Sequence, residues 1–226
     1  MNIDVIIPAH NEEKSIEKVI NEIPKQLVRN IIVVCNCCTD NTEEKAKNNG
    51  AITLIEKNKG YGWSCLKGME FISSDPPDIV VFLDGDYSDY PKQMVDIVNP
   101  ILKKEVKMVI GSRKLGKAEK GSLTPQQVFG NWLACWLMKI FYRANFTDLG
   151  PFRAIDHKSL ILLNMMDKTY GWTIEMQIKA HQKKIPYTEV PVDYKKRIGV
   201  SKVSGTLKGT IFAGIKIIFA VLKYRF

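Results

Sequence analysis

Several features that would mark other protein classes are missing from this chain of 226 residues. It has no run of about 20 apolar residues, so a membrane-spanning helix is not expected. It also has no Pro/Gly/Ser-rich linker, low-complexity tract or internal repeat, which excludes a string of small domains and a repeat protein. We therefore expect one domain over residues 1–205. An amphipathic helix over residues 206–226 would follow it and contact a membrane interface or mediate oligomerisation.

Cysteine is scarce and unevenly distributed. Three of the five cysteines, Cys35, Cys37 and Cys38, lie together, but no second Cys or His cluster completes a four-ligand zinc site. Met1 leads directly into a strand-like segment rather than into a secretory signal, which indicates a reducing, cytoplasmic compartment. We therefore interpret the thiols as structural.

The formal net charge of +9 indicates an anionic partner. Nucleic acid, an anionic membrane surface and a phosphorylated substrate would each suit this charge. No aromatic-interleaved basic motif or zinc module accompanies it, so we expect no nucleic-acid partner.

Apolar runs alternate with helical patterns in the first half of the chain. The runs are Ile3 to Ile7, Ile31 to Val34, Ile52 to Ile55 and Ile79 to Leu83, and Asn11 is the expected cap of the first helix. Apolar strands without polar alternation are typical of a parallel sheet that helices cover on both faces. The prediction is an α/β fold of the nucleotide-binding type.

The second half predicts a mixture of helices and shorter strands. The expected elements are a helix opened by Pro91, a strand at 108–110, a basic loop at 112–124, a helix at 126–142, a strand at 152–155, a helix at 172–183 and a strand at 187–194. The aromatic face of the helix at 126–142 suits either a lipid interface or a protein core. Both interpretations are open at this point.

Two carboxylates follow the fourth apolar run. Asp84 and Asp86 are separated by Gly85, which leaves the backbone room to bend. Ligands of α/β sheets bind beyond the carboxyl ends of the strands, so both side chains can turn toward one Mg²⁺ or Mn²⁺ ion and a substrate diphosphate. Asp-Gly-Asp also suits an ordinary turn, and the motif alone leaves both interpretations open.

Other polar residues occur near helix starts and in loops. Residues 8–13 follow the first strand, where backbone amides with Asn11 and Glu12 suit a nucleotide or simply cap a helix. Basic side chains suited to phosphate are Arg113, Arg153, Lys195, Lys196, Arg197 and Lys202. A solvated basic face is the alternative for any one of them.

Eight segments in a set order cover nearly the whole chain. They are VIIPAHNEE (5–13), CTDNT (38–42), NKGYG (58–62), FLDGDYSDYP (82–91), GSR (111–113), TDLGPFRAI (147–155), YGWTIEMQIKA (170–180) and VPVDYKKRIGVSK (190–202). In this order the chain resembles family 2 glycosyltransferases, within them the dolichyl-phosphate mannose synthase-like, or polyprenyl-phosphate glycosyltransferase, branch. The resemblance implies a GT-A, Rossmann-like fold with a mostly parallel central sheet flanked by helices.

The resemblance also implies a donor site. Its nucleotide-sugar-binding residues would be Pro8, Ala9, Asn11, Glu12, Asn36, Asp40, Lys59, Gly60, Asp84, Gly85 and Asp86. Asp84 and Asp86 would hold Mg²⁺ or Mn²⁺ together with the donor diphosphate. Cys35 and Asn36 stand where relatives commonly carry two aspartates, so the base of the donor nucleotide is left open.

An acceptor site is implied on the same grounds. Its phosphate-binding residues would be Arg113, Gln127, Asn131, Arg153, Arg197, Ser201 and Lys202. Gln127 and Asn131 stand where the closest relatives tend to carry an Arg and a small hydroxyl residue. Asp148 would shape the acceptor side and serve as the base for a hydroxyl acceptor, so that Asp84, Asp86, Asp148 and Arg197 form the expected catalytic set.

The expected function is inverting, metal-dependent transfer of a sugar from a nucleotide-diphosphate donor to a polyprenyl phosphate. The enzyme would be peripheral at the inner face of the cytoplasmic membrane. A phosphate monoester is already anionic near neutral pH, so positioning and charge stabilisation would dominate over base catalysis. The alternative is a soluble family 2 glycosyltransferase that acts on a small phosphorylated or hydroxyl acceptor, with its apolar helices in a core or a homo-oligomer interface.

Overall fold

A seven-stranded sheet forms the centre of the protein. The computed structural model describes residues 1–199, 218–219 and 221–224. The strands are β1 (Ile3–Ala9), β2 (Asn30–Asn36), β3 (Ile52–Glu56), β4 (Ile79–Phe82), β5 (Met108–Ser112), β6 (Arg153–Asp156) and β7 (Tyr187–Pro191). The helices are α1 (Ile16–Glu22), α2 (Thr42–Asn48), α3 (Tyr61–Ile72), α4 (Met94–Leu102), α5 (Pro125–Tyr142), α6 (His157–Leu163) and α7 (Trp172–Gln182).

The strands lie in the order β3-β2-β1-β4-β6-β5-β7. Strand β1 pairs in parallel with β2 and β4, and β2 pairs in parallel with β3. Strand β6 runs antiparallel to both β4 and β5, whereas β7 is parallel to β5. The prediction of a mostly parallel sheet flanked by helices is confirmed. Because β1, β2 and β4 run in the same direction, the loops that follow them meet at one edge of the sheet.

Helices cover both faces of the sheet, which explains why its strands lack polar alternation. All seven residues of β1 are buried. Ile6 and Phe82 pack on one face, where the Phe82 ring meets the Trp172 ring edge-on at 5.9 Å, whereas Val5 and Ile7 pack on the other face. Each fully buried side chain of this kind contributes about 1.5–3 kcal/mol. The sheet therefore gives the loops at its edge a rigid support.

Two local features differ from the sequence-based expectation. Asn11 does not cap α1, because its backbone is left-handed (φ 56°) and its side chain bonds to Thr39; Ser15 takes the N-cap position instead. Helix α6 has no counterpart among the predicted elements. The Asp156 carboxylate caps it by accepting a 3.0 Å hydrogen bond from the Ser159 N–H.

Helix α5 exposes an apolar face. Its start is capped reciprocally by Thr124 and Gln127, and Ala134 and Met138 face the core. The exposed large apolar side chains on this helix are Val128, Phe129, Trp132, Trp136 and Ile140. We call these five residues the α5 face. Among the described residues, no helix combines the length and the apolar content needed to cross a bilayer.

Only part of the predicted terminal helix lies in the described part of the chain. Val221 is buried, and its carbonyl oxygen accepts a hydrogen bond from the Tyr142 hydroxyl. Gln182 Nε2 donates to the Tyr224 carbonyl oxygen over 2.6 Å. This end of the chain therefore packs against α5 and α7. The predicted boundary at residues 205 and 206 lies outside the described residues and stays a prediction.

The segment that precedes α7 docks closely on the start of α3. The N–H of Gly62 donates to the Thr169 carbonyl oxygen over 3.2 Å. Glu175, buried in α7, accepts hydrogen bonds from two backbone N–H groups of the same segment. Glu175 is therefore a supporting residue and not a solvent-facing one.

Replacing Gly62 with alanine tests this close approach. A Cβ atom at Gly62 would lie 2.0 Å from the Asp167 carbonyl oxygen, so the substitution should lower the free energy of unfolding by about 1–3 kcal/mol. The matched control is Gly130→Ala in α5, where the added Cβ would meet no atom within 4 Å among the described residues, its own neighbours in the helix aside. That substitution should raise the free energy of unfolding by about 0.5–1 kcal/mol. Urea denaturation measures both, and equal effects would contradict the account.

Candidate active site

A cleft opens at the edge of the sheet where β1, β2 and β4 end. Nine of the eleven residues predicted to bind the nucleotide sugar line this cleft: Pro8, Ala9, Glu12, Asn36, Lys59, Gly60, Asp84, Gly85 and Asp86. Arg197, predicted to be catalytic, lines it as well. The convergence follows from the topology, since parallel strands bring their carboxyl-terminal loops together. The structure therefore brings most of the predicted donor residues together, and their binding role stays a prediction.

Asp84 and Asp86 supply concentrated negative charge at the floor of the cleft. The Oδ1 atom of Asp84 is buried and has no hydrogen-bond partner within the described chain. Burial, followed by the charge of Asp86, raises the pKa of Asp84 to about 7, although Tyr61 and Arg197 oppose this shift. A buried carboxyl oxygen without a donor is uncommon in folded proteins, and it suits a site that receives a cation.

Arg197 bridges the two sides of the cleft. Its Nη2 atom donates to Glu12 Oε1 over 3.0 Å, and its Nη1 atom lies 3.2 Å from Asp86 Oδ2. The other oxygen of Asp86 accepts hydrogen bonds from the backbone and side chain of Ser88. In this arrangement one guanidinium offsets part of the negative charge that Glu12 and Asp86 bring to the cleft.

A strap formed by residues 193–198 carries Arg197 to this position. Lys195 Nζ lies 3.2 Å from the ring centroid of Tyr87 and 4.3 Å from that of Tyr90. The Ile198 N–H donates to the Asp86 carbonyl oxygen over 3.0 Å. Cation–π contacts contribute about 0.5–2 kcal/mol each. The strap is therefore anchored on both sides of the arginine, next to the Asp84–Asp86 loop.

Asn36 organises the wall of the cleft that faces β3. Its Nδ2 donates to the Asn58 carbonyl oxygen over 2.7 Å, and its Oδ1 accepts from the Gly60 N–H over 2.9 Å. Its own carbonyl oxygen lies 2.6 Å from His10 Nδ1. Asn36 thus fastens two neighbouring loops, and its side-chain amide is used for that purpose.

Asn11 and Asp40, predicted to bind the nucleotide, do not line the cleft. Asn11 Oδ1 accepts from the Thr39 N–H over 2.8 Å. The Asp40 carboxylate accepts hydrogen bonds from the backbone N–H groups of Glu13 and Thr42. Both side chains therefore join the loop after β1 to the loop after β2. Gly85 lies in the cleft lining as predicted, and a Cβ atom there would lie 3.4 Å from both Ile7 and the Pro8 carbonyl oxygen.

Four further residues line the cleft that were not predicted from the sequence: His10, Tyr61, Ser64 and Tyr170. Burial, with Asp84 nearby, raises the pKa of Tyr61 well above its ordinary value, so its hydroxyl stays protonated beside that carboxylate. His10, Tyr61 and Tyr170 lie within segments that carry the family resemblance. Sequence alone does not show whether such aromatic side chains face a cleft or a core.

Arg113 and Asp148 form an ion pair beside a second cavity of about 760 Å³. Arg113 donates through its backbone N–H, Nε and Nη2 to the two oxygens of Asp148 over 2.6–2.8 Å. Burial opposes the charge of Arg113, but Asp148 outweighs it, and the pKa of the guanidinium is raised. Asp148 therefore holds Arg113, whereas its role as a base for a hydroxyl acceptor stays a prediction.

Gln127 and Asn131 also line the second cavity, but their side chains serve the backbone. Gln127 Oε1 accepts from the Thr124 N–H in the cap of α5. Asn131 Oδ1 accepts from the Leu149 N–H over 2.8 Å, and its Nδ2 donates to the Thr147 carbonyl oxygen. Both residues therefore stabilise the wall of the second cavity, and Arg113 is the predicted phosphate-binding cation that lines it.

Arg153 does not reach either cavity, which corrects its assignment to acceptor phosphate. Its side chain is fully buried and donates to the carbonyl oxygens of Leu149, Gly150 and Thr173. Burial lowers the pKa of Arg153 to about 10, so the guanidinium still carries its charge at neutral pH. Arg153 supports the loop that contains Asp148. Ser201 and Lys202 lie outside the described residues.

The raised pKa of Asp84 predicts a pH-dependent stability. A carboxyl whose pKa rises from about 3.9 when unfolded to about 7 when folded destabilises the protein as pH increases through that interval. In EDTA, Asp84→Asn should therefore raise the free energy of unfolding by roughly 2–4 kcal/mol at pH 8 and change it little at pH 4. Urea titrations at the two pH values measure this. Equal effects at both would contradict the burial of a charged Asp84.

Comparison with known proteins identifies the family. The sequence profile of Glycosyl transferase family 2 matches residues 4–170. An uncharacterized glycosyltransferase of Mycobacterium tuberculosis is 30% identical over 215 residues, which are 93% of this chain and 94% of that protein. A UDP-N-acetylglucosamine–dolichyl-phosphate N-acetylglucosaminyltransferase of Methanococcus voltae is 29% identical over 211 residues, 84% of each chain.

A solved structure shares the fold. Glucosyl-3-phosphoglycerate synthase from Mycobacterium tuberculosis, in complex with Mn²⁺, UDP and glucosyl-3-phosphoglycerate, superimposes with a TM-score of 0.77 at 22% identity. The match covers 98% of this chain and 79% of that one. The expected GT-A fold is confirmed, and so is the expectation of a glycosyltransferase, whereas the dolichyl-phosphate mannose synthase-like branch is not distinguished. The chain belongs to glycosyltransferase family 2.

Proposed function

We propose that this protein transfers a sugar, with inversion, from a nucleoside-diphosphate donor to a polyprenyl phosphate at the cytoplasmic face of a membrane. The observation that carries the proposal is the pairing of two sites. One is a cleft with an unpartnered buried carboxyl oxygen at Asp84, and the other is an apolar cavity that contains Arg113. The first suits a metal-bound diphosphate and the second suits an amphiphile with an anionic head.

The donor cleft fits a divalent cation. Asp84 and Asp86 are oxygen donors on one loop, and Asp84 Oδ1 lacks any other partner among the described residues. Mg²⁺ and Mn²⁺ are commonly held by one or two carboxylates together with substrate phosphates. When bound, the cation neutralises the charge that builds on the departing diphosphate. The Mn²⁺ and UDP in the related synthase complex are consistent with this assignment.

Arg197 has two roles in the proposal. In the structure it forms ion pairs with both Glu12 and Asp86. Its forked donors match phosphate geometry, so Arg197 could also bind a phosphate oxygen of the donor in the same cleft. Arg197 would then stabilise the leaving diphosphate from the side opposite to Asp84. The strap anchored by Lys195 limits how far it moves.

The acceptor side favours a group that is already ionised. Among the described residues that line the second cavity, Asp148 is the only carboxylate, and its two oxygens hold Arg113. A hydroxyl acceptor would need a base to remove its proton. A phosphate monoester is already an anion and needs only positioning by Arg113. The dolichyl-phosphate specificity in the name of the Methanococcus voltae relative supports this acceptor class.

The α5 face supports a location at a lipid surface. Trp132 and Trp136 are about half exposed, and their rings stack with centroids 6.1 Å apart. Phe129 and Trp132 also form part of the wall of the acceptor cavity, so the exposed apolar face continues into that cavity. Trp side chains and neighbouring basic residues are typical of helices that lie in a membrane interface. A polyprenyl chain could then enter from the bilayer along α5.

An acceptor panel tests the function directly. The protein would be incubated with Mn²⁺, radiolabelled UDP- or GDP-sugars and one of three acceptors: polyprenyl phosphate, 3-phosphoglycerate or a simple sugar alcohol. Transfer to polyprenyl phosphate at a rate well above the other two supports the proposal. Transfer to phosphoglycerate or to the alcohol alone would favour the alternative, a soluble enzyme with a small acceptor.

Loss of Asp86 should remove catalysis. Asp86→Ala is expected to lower kcat/KM on the order of 10²–10³-fold, because charge stabilisation of the leaving group is lost. The control is Asp96→Ala, which removes an exposed carboxylate from α4 away from the cleft. Circular dichroism checks folding of both variants. Wild-type turnover of a folded Asp86→Ala protein would show that the assignment is wrong.

Membrane attachment should depend on the α5 face. The double substitution Trp132→Ser and Trp136→Ser removes two large apolar groups, so binding to anionic phosphatidylglycerol vesicles should weaken about 100-fold or more. The control is Ile161→Ser, which changes an exposed apolar residue on α6. Flotation measures binding. Unchanged flotation of the double variant, together with its conversion from dimer to monomer on gel filtration, would assign the face to a second copy of the chain instead.

A further inference from the structure

Cys35 and Cys38 share a small space at the end of β2. Cys35 is 2% exposed, and Cys38 packs against the same apolar cluster. Cys35 is the ladder partner of Ala9, whose carbonyl oxygen lies 3.5 Å from the Cys38 sulfur. The thiol of Cys35 interacts with the sulfur of Cys38. Cys37 is separate from this pair, because its thiol is directed to the Lys57 carbonyl oxygen at 3.1 Å.

The two thiols of this pair have unequal chemistry. The Cys35 thiol, assisted by the Asn11 N–H at 3.5 Å, lowers the pKa of Cys38 to about 7 although burial opposes this. The same interaction and burial raise the pKa of Cys35. The lowered pKa favours the thiolate form of Cys38. Because Cys38 is only partly buried, solvent can reach its sulfur. One accessible thiolate next to one buried thiol is the arrangement of an attacking and a resolving cysteine.

The pair encloses a residue that organises the donor cleft. Asn36 lies between Cys35 and Cys38 in the chain, and its side chain holds the backbone at Asn58 and Gly60. The Cys38 sulfur also accepts the hydrogen bond from the backbone of Asn11, in the loop that follows β1. A change in the separation of the two sulfurs therefore acts on two walls of the cleft.

We propose that Cys35 and Cys38 form a dithiol modification site, which a peroxide oxidises to a disulfide that weakens nucleoside-diphosphate binding. The Cys38 thiolate attacks one peroxide oxygen, breaking the O–O bond, and becomes a sulfenic acid while hydroxide leaves and takes up a proton as water. The Cys35 sulfur then attacks the Cys38 sulfur and loses its proton, and the sulfenic oxygen leaves as a second water. Two thiols and one peroxide thus yield one disulfide and two waters.

The geometry explains why the disulfide affects the cleft. A disulfide brings the sulfurs to about 2.05 Å and restricts its dihedral angle. Because Cys35 is held in β2, Cys38 must move, and its sulfur leaves the Ala9 carbonyl and the Asn11 N–H. The loop that follows β1, which carries the cleft residues His10 and Glu12, then loses this attachment to the loop that follows β2. The nucleotide effect rests on the proposed function, whereas the disulfide itself does not.

Mass spectrometry and calorimetry on the full chain test both parts. After treatment with hydrogen peroxide, the tryptic peptide 30–45 should lose two hydrogens in wild type and in Cys37→Ser, but not in Cys35→Ala or Cys38→Ser. Affinity for UDP or GDP with Mn²⁺ should fall about tenfold or more, the equivalent of one or two hydrogen bonds. Dithiothreitol should restore it. After peroxide treatment, Cys35→Ala and Cys38→Ser should bind the nucleotide as tightly as they do before it, because neither variant can form the disulfide.

Three results would count against the proposal in distinguishable ways. Absence of the intramolecular disulfide in wild type would overturn the modification site. A disulfide that leaves nucleotide affinity unchanged would overturn its coupling to the cleft. If the reduced protein bound neither UDP nor GDP while the disulfide still formed, the proposed function would fail, and the affinity part of this inference with it.

Discussion

Crowding of negative charge at the end of β4 is the constraint on which the candidate site depends. Asp84, Asp86 and Asp89 lie within six consecutive residues. Burial, followed by repulsion from the neighbouring carboxylates, raises the pKa of both Asp84 and Asp89. Such a cluster is unfavourable unless cations compensate for it. The protein supplies Arg197 to Asp86 and Arg113 to Asp148, each with direct ion pairs. Among the described residues, the carboxyl oxygens left without a hydrogen-bond partner are Asp84 Oδ1, in the lining of the donor cleft, and both oxygens of Asp89.

The two arginines divide the proposed chemistry between donor and acceptor. Arg197 belongs to a strap that crosses the donor cleft, whereas Arg113 is held at a cavity whose wall continues into the exposed face of α5. The charge of Arg113 also acts on Asp84, so the two sites are electrostatically linked. Transfer to a phosphate acceptor requires the donor diphosphate and the acceptor phosphate to lie side by side, so positive charge must offset the repulsion between these two anions. In this view the protein provides orientation and charge balance rather than a strong base.

The sequence predicts the sheet well because its central strands are buried on both faces. The apolar runs of β1, β2 and β4 carry that information locally, and parallel pairing then brings Asp84, Asn36 and Glu12 to one edge. Side-chain partners are different, because they depend on contacts between distant residues. Arginine is a residue type that commonly binds phosphate, yet the Arg153 side chain is buried and donates to three backbone carbonyl oxygens in the core. The Asp148 carboxylate likewise forms an ion pair with Arg113. Helix α6 is short and begins directly after a strand, so no separate apolar pattern marks it.

A crystal structure of the protein with Mn²⁺ and UDP or GDP would show whether the Asp84–Asp86 loop holds the cation and the diphosphate. We expect anomalous density for Mn²⁺ beside a carboxylate oxygen of Asp84 or Asp86 and beside the diphosphate. We also expect Arg197 to contact a phosphate oxygen of the bound nucleotide. Metal bound elsewhere, or a diphosphate bound without contact to Arg197, would contradict the proposed site.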